Sequence, residues 1–327
     1  MTADLSGNER YRERKSALCL YAQLLLGMTL YARFRGAGAL WLSVLLTAPF
    51  LCLIFFLIRG SRRAPSRLLS LAALMDALTA YTLLCGLCRL LLADLPPWAA
   101  AGAVTAFALL CVGAEERALD IMSRPAAWLI AIPLAACAVG CLPQGSVGRL
   151  FPLLGRGPAA VGLGGIWLTG CLTPAAAAAE GKKPGLPSLL TALLLSVATA
   201  ALFSFLQPPF SPYPPASWPS WPALPARFSL PAALWTPAMS ALMLLLFYAH
   251  LSGLQTAGAL LARRDGKNRR FILWAAALLM FPAGALREAA FERLLFWTFP
   301  VRSAVILLSL IRMRLKKAPR PKEEQHA

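Results

Sequence analysis

Apolar stretches of roughly 20 residues, the length a helix needs to cross a bilayer core, recur from one end of this 327-residue chain to the other. The chain is 58% hydrophobic and 14% charged, against roughly one-quarter charged in a soluble domain. A water-soluble fold of that composition would expose apolar surface on every side. The strands of a membrane barrel would alternate apolar and polar residues over segments of about 10, and no such alternation is present. The expected fold class is therefore all-α, a polytopic membrane protein with about ten transmembrane helices. Hydropathy and helix breakers together place spans near 16–34, 38–58, 68–93, 97–113, 126–143, 159–179, 188–206, 233–262, 271–286 and 294–311.

Around these spans the chain divides into a cytoplasmic N-terminal segment, residues 1–15, a single transmembrane domain, 16–313, and a basic cytoplasmic tail, 314–327. The first apolar run lacks a small-x-small cleavage site and is read as a retained span. The tail is expected to be solvated, or associated with lipid headgroups.

Charge tests the span count independently, because alternate loops must share a side of the membrane. One side receives 23 basic residues: the groups around Arg10–Lys15, Arg59–Arg67, Arg117 and Arg124, Lys182 and Lys183, Arg263–Arg270, and Arg312–Lys322. The other side receives 7, namely Arg33, Arg35, Arg149, Arg156, Arg227, Arg287 and Arg293. By the positive-inside rule the richer side is cytoplasmic, and both termini are expected there. The formal net charge of +18 would suggest nucleic acid in a soluble chain. Here it is accounted for by the loops, and no nucleic-acid partner is expected.

Gln207 to Pro231 is dense in proline and aromatics and falls on the outer face. It reads either as an irregular loop with aromatics at headgroup level or as a lid over an outward vestibule. All eight cysteines lie within apolar stretches and read as small packing residues. Cys85 and Cys88 match a C-x-x-C spacing, but they sit in mid-span with no histidine nearby and no βαβ context.

Ten spans split into two fives, halves 16–143 and 159–313, and an odd number per half inverts the second half across the membrane. That parity is the 5+5 inverted repeat of LeuT-like transporters, whose site lies where the first helix of each half is broken near the midplane. Gly27 interrupts the first span, and Gly162, Gly164, Gly165 and Gly170 interrupt the sixth. The same glycines would also serve close helix packing.

Ionisable residues inside a membrane cost about 2.5–3.5 kcal/mol each on insertion scales and raise functional hypotheses. Asp76 and His250 fall near mid-depth of their spans, Arg89 lies toward the outer end of its span, and Arg302 is well inside the last. Asp76 reads as a site for a ligand amine or a proton, or as a structural partner of Arg302. His250 reads as a ligand contact or as a packing histidine, and Arg89 as an interfacial anchor whose stem snorkels. No H-E-x-x-H, P-loop or paired-carboxylate pattern is present, so neither an enzyme nor a cofactor is expected.

Several stretches resemble the endospore germination permease family, the B subunit of Ger-type nutrient germinant receptors within the amino acid–polyamine–organocation superfamily. Gln23-Leu-Leu-Leu-Gly27 followed by Gly36-Ala-Gly38-Ala-Leu-Trp41-Leu-Ser43 is similar to its first two helices. Gly113-Ala-Glu115-Glu116-Arg117 resembles its loop after the fourth span, and Leu150-Phe-Pro152-Leu-Leu-Gly155-Arg-Gly157 the segment before the sixth. Trp235 to Leu261 is similar to its eighth span. The chain departs from the family pattern where Leu-Pro-Ala-Ala-Leu follows Ser229, and where no acidic residue stands near Thr169.

The resemblance implies a subunit in a bacterial inner or spore membrane that works with A-type and C-type partners. It would sense a small nutrient such as an amino acid and trigger germination. The implied pocket brings together Gly27, Asp76, Gly164, Gly165, Thr169 and His250. An amino acid or polyamine transporter coupled to an ion or proton gradient, and a scaffold subunit that binds no ligand, are the alternatives.

Overall fold

A computed structural model describes five helices together with isolated residues within 17–24, 45–56, 96, 128–147 and 301–312. In chain order the helices are α1 (Leu68–Leu91), α2 (Pro97–Gly113), α3 (Leu186–Leu206), α4 (Ala232–Leu261) and α5 (Arg269–Gly284). Each falls within two residues of an expected span. At 1.5 Å per residue α1 is about 36 Å long and α4 about 45 Å, against a hydrocarbon core of about 30 Å. Segments of these two, Leu68–Arg89 and Met243–Leu261, are long and apolar enough to cross a membrane; the apolar stretches of α2, α3 and α5 are shorter. Described residues of the expected first, second, fifth and tenth spans are also helical. The expected sixth span and the proline-rich stretch lie outside the described residues.

Local chemistry explains the helix ends. Pro97 takes the first helical position of α2, where its missing N–H is no loss. The carbonyl of Pro96 accepts from the amides of Ala99 and Ala100 at 2.9 and 3.3 Å. Gly113 and Gly284 are the last described residues of α2 and α5. The guanidinium of Arg89 donates to the Gly284 carbonyl. Arg89, expected as an interfacial anchor, ties the C-terminal end of α1 to the end of α5.

Hydroxyls inside the helices are satisfied by their own backbone. Thr79 donates to the Met75 carbonyl at 2.8 Å, Thr82 to Leu78 at 2.6 Å, Ser196 to Ala192 at 2.7 Å and Thr199 to Leu195 at 2.7 Å. This one-turn back-bonding lets Ser and Thr sit in an apolar environment. With its proton committed to Leu195, the Thr199 oxygen accepts from the Tyr21 hydroxyl at 2.8 Å, which joins the first apolar run to α3.

The centre of the described structure is the pair α1 and α4, which share its broadest interface. A Cβ on Gly253 would lie 3.0 Å from the Ala73 carbonyl oxygen, the Ala77 amide nitrogen and the Ala77 Cβ. Only glycine lets the two backbones come this close, as at small-residue interfaces between membrane helices. One turn back along α4, His250 meets Ala77, and its ring faces Tyr81 further along α1. The two helices are therefore antiparallel.

α5 packs beside both, with Gly258 of α4 against the Leu273 side chain and Gly284 against the Tyr81 ring. α2 and α5 each bury one face and leave the other exposed, and both faces are apolar. On α5 Leu273, Ala277 and Met280 are buried, whereas Phe271, Trp274, Leu278 and Leu279 are exposed. On α2 Ala101, Val104 and Ala108 are buried, whereas Trp98, Phe107 and Leu110 are exposed.

Candidate functional site

Polar side chains gather where α1, α2 and α4 meet and the end of α5 closes over them. From α1 comes Tyr81, from α2 Thr105 and from α4 His250, all buried; Asp76 of α1 and Tyr248 of α4 are buried on the same helices. Tyr81 is the hub. Its hydroxyl donates to the Ala101 carbonyl at 3.1 Å. With that proton placed, Thr105 donates to the Tyr81 oxygen at 2.8 Å. Gly284 comes against the ring edge, where a Cβ would lie 2.8 Å from Cε1, 2.9 Å from the hydroxyl oxygen and 3.0 Å from the Ala101 Cβ. Three helices therefore hold the ring in one place.

His250 lies against this hub, its ring centroid 5.4 Å from that of Tyr81 at an interplanar angle of 43°. Phe247, one turn away on α4, is 6.4 Å from His250 and 4.9 Å from Phe107 of α2. His250 Nδ1 is 2.8 Å from the Ala77 carbonyl oxygen. A carbonyl can only accept, so Nδ1 carries the hydrogen. In the neutral ring Nε2 then presents a bare lone pair. The residue is 1% exposed, and Nε2 has no hydrogen-bond partner. A buried polar atom left in this state is uncommon in folded proteins.

Asp76 is 3% exposed and is not left without a partner. At 100° per residue it stands about 60° around α1 from Ala73 and about 140° from Tyr81, so it lies on a different face of α1 from the Tyr81–His250 contact. Asp76 and His250, 174 positions apart in the chain, are carried on the two helices of one packed pair. Of the other expected site residues, Gly27, Gly164, Gly165 and Thr169 lie outside the described residues, as does Arg302, the expected partner of Asp76.

Two expectations are refined. His250 was open between a packing histidine and a ligand contact, and its two nitrogens divide the roles: Nδ1 is a helix-to-helix tie and Nε2 is unmet. Cys85 and Cys88 are free thiols buried among the core residues of α1, in keeping with packing roles.

The residue that sequence reasoning missed is Tyr81. Its signal was a phenol in mid-span one turn beyond Ala77, whose hydroxyl must find a partner when buried. That signal becomes a site only once α2 and α4 are seen beside it. Among the described residues no cluster of His, Cys, Asp or Glu could hold a metal ion. No protein-family model and no curated protein sequence matches this chain.

Proposed function

We propose that this chain is an integral membrane subunit that senses a small nutrient in a transporter-like helical fold, in the manner of the germinant-receptor B subunits it resembles. The observation that carries the reading is the set of buried polar side chains, Asp76 and Tyr81 on α1, Thr105 on α2 and His250 on α4, in a bundle whose α1 and α4 are long and apolar enough to cross a bilayer. Packing alone does not call for such groups in so apolar a core, and intramembrane ionisable residues commonly mark ligand and ion paths. The exposed apolar faces of α2 and α5 support lipid as the solvent.

In the full proposal ten spans form two inverted halves, both termini are cytoplasmic, and the pocket lies at the junction of spans one, three, six and eight. A ligand that binds one arrangement of the halves better than the other shifts the population toward it, and this differential affinity is the signal. Backbone groups at Gly27 and Gly164–Gly165, with Thr169 beside them, meet a carboxylate. Asp76 meets the amine, His250 is a further candidate contact, and A-type and C-type partners receive the change.

The test is ligand-dependent thermal stabilisation of the purified chain in lipid nanodiscs, screened against amino acids, with Asp76→Asn alongside. Stabilisation should be lost in Asp76→Asn while membrane expression is retained. An unchanged response in the variant would remove Asp76 from the site. A proton- or ion-coupled transporter is the second reading, favoured by the same buried Asp76 and His250. Uptake of labelled amino acid into proteoliposomes holding this chain alone would select it over sensing.

A further inference from the structure

We propose that the last described turn of α5, residues 281–284, is a wedge that sets the place of the Tyr81 ring, with Arg89 as its latch. The device is conformational and stands whether or not the bundle senses a nutrient.

Local sequence makes this turn the weakest part of α5. Pro282 stands inside the helix. It has no N–H to offer the Leu278 carbonyl, and its ring crowds that carbonyl. Gly284 follows two positions on, with the lowest helix propensity of any residue but proline. The turn is therefore joined to the rest of α5 by less than a full set of backbone bonds, and contacts from other helices decide where it sits.

Three such contacts are present. The Phe281 ring lies over Gly102 of α2, 3.9 Å from where a Cβ on that glycine would be. Gly284 is buried against the Tyr81 ring edge and the Ala101 Cβ, with no room for a Cβ of its own. Its carbonyl accepts from the Arg89 guanidinium. Tyr81 and Arg89 stand about 80° apart around α1 and about 12 Å apart along it. A helical side chain leans toward the N-terminal end of its helix, which carries the long Arg89 side chain back toward Tyr81. One stripe of α1 thus supplies both the seat of the wedge and its latch.

The wedge bears on a ring that touches every neighbour of α1 at this level. The Tyr81 hydroxyl is bonded to Ala101 and Thr105 of α2, and the ring lies 5.4 Å from that of His250 on α4. Lifting Gly284 frees the ring edge beside the hydroxyl and lets the ring shift against both. A docked and a lifted turn give the bundle two discrete arrangements, the kind of element through which separated groups are coupled. Tyr81 is the positioning residue between the turn and His250.

The test uses the full chain in lipid nanodiscs with nitrogen-15-labelled histidine and tyrosine labelled with carbon-13 at Cζ. The chain holds 2 histidines, and His326→Gln leaves His250 as the single nitrogen source. Tyr81→Phe assigns the Tyr81 signal among those of the 6 tyrosines. Two variants lift the wedge by unrelated means. Arg89→Met removes the donor, and Gly284→Ala puts a methyl group 2.8 Å from the Tyr81 ring and 3.0 Å from the Ala101 Cβ. Each should move or split the Tyr81 signal and broaden both His250 nitrogen lines. Because both act by lifting the same turn, the double variant should shift Tyr81 no further than the larger single effect, rather than by the sum expected of independent sites.

The proposal falls if Arg89→Met leaves the Tyr81 signal in place, if Tyr81 moves while the His250 lines do not, or if the two shifts add. Should one variant give no folded protein, the other decides by the same two signals: an unmoved Tyr81 or an unchanged His250 overturns the wedge, and movement of both supports it.

Discussion

α1 and α5 are both apolar helices, yet one is a core element and the other a rim. From Asp76 to Cys88 α1 is buried almost all the way round. α5 shows Phe271, Trp274, Leu278 and Leu279 on its open side, with Leu279 79% exposed. In water the open side of a helix would be polar, and the difference between core and rim would be written in the sequence as an amphipathic stripe. Here the open side is as apolar as the closed side. What separates the two is residue size and polarity within the apolar class. Glycine, alanine, and hydroxyl and ring side chains line the α1–α4 contact, and bulky Leu, Phe and Trp line the rim. This is the distribution expected when association is driven by close packing and internal hydrogen bonds rather than by escape from water.

The comparison breaks most decisively at Leu279. On the membrane reading, Leu279→Arg places a charge against lipid and should cost up to about 2.5–3.5 kcal/mol in insertion, less if the stem snorkels. A translocon insertion assay on the α5 segment, with yield of the full chain alongside, would read it. Were the rim facing water, the same change would be neutral or would raise solubility.

At the core, Gly253→Leu must push against the Ala73 carbonyl and the Ala77 backbone at 3.0 Å. It should lose about 1–3 kcal/mol or more, seen as a lowered midpoint in SDS titration. Gly258→Ala sharpens the point. Its obstacle is the flexible end of Leu273 at 2.8 Å, so its loss should be smaller than that of Gly253→Ala by the same measurement.

The smallest expected effect is at the hub. Tyr81→Phe removes the hydroxyl between Ala101 and Thr105 and should cost about 1 kcal/mol. It should also loosen His250, read as a broadened Nε2 resonance in the labelled protein. A full-sized stability loss with an unchanged histidine signal would make Tyr81 a purely structural residue.

Much of the fold was legible beforehand because span length is a one-dimensional property. Breakers such as Pro96-Pro97 mark a helix start without reference to any neighbour, and α2 begins where the sequence places it. α3 begins at Leu186 rather than 188, since Leu186-Pro187 accommodates proline in a first turn. That Asp76 and His250 fall in the interior of their helices was likewise readable from position alone. The role of Tyr81, the tie from Arg89 to Gly284 and the state of His250 Nε2 were not. Each depends on which helix stands alongside, and a chain apolar on all faces carries no periodicity that names its neighbour.

By itself, then, the sequence determined where helices form and which ionisable groups they carry into an apolar setting, because both follow from local composition and from 1.5 Å of rise per residue. The tertiary structure alone decided that α1 and α4 are the central pair, that they run antiparallel at glycine-limited distance, and that one imidazole nitrogen is met while the other is not. The physical reason is that hydrogen bonding and close packing act between surfaces. Which surfaces meet is settled by shape complementarity across residues far apart in the chain, and local composition does not encode it.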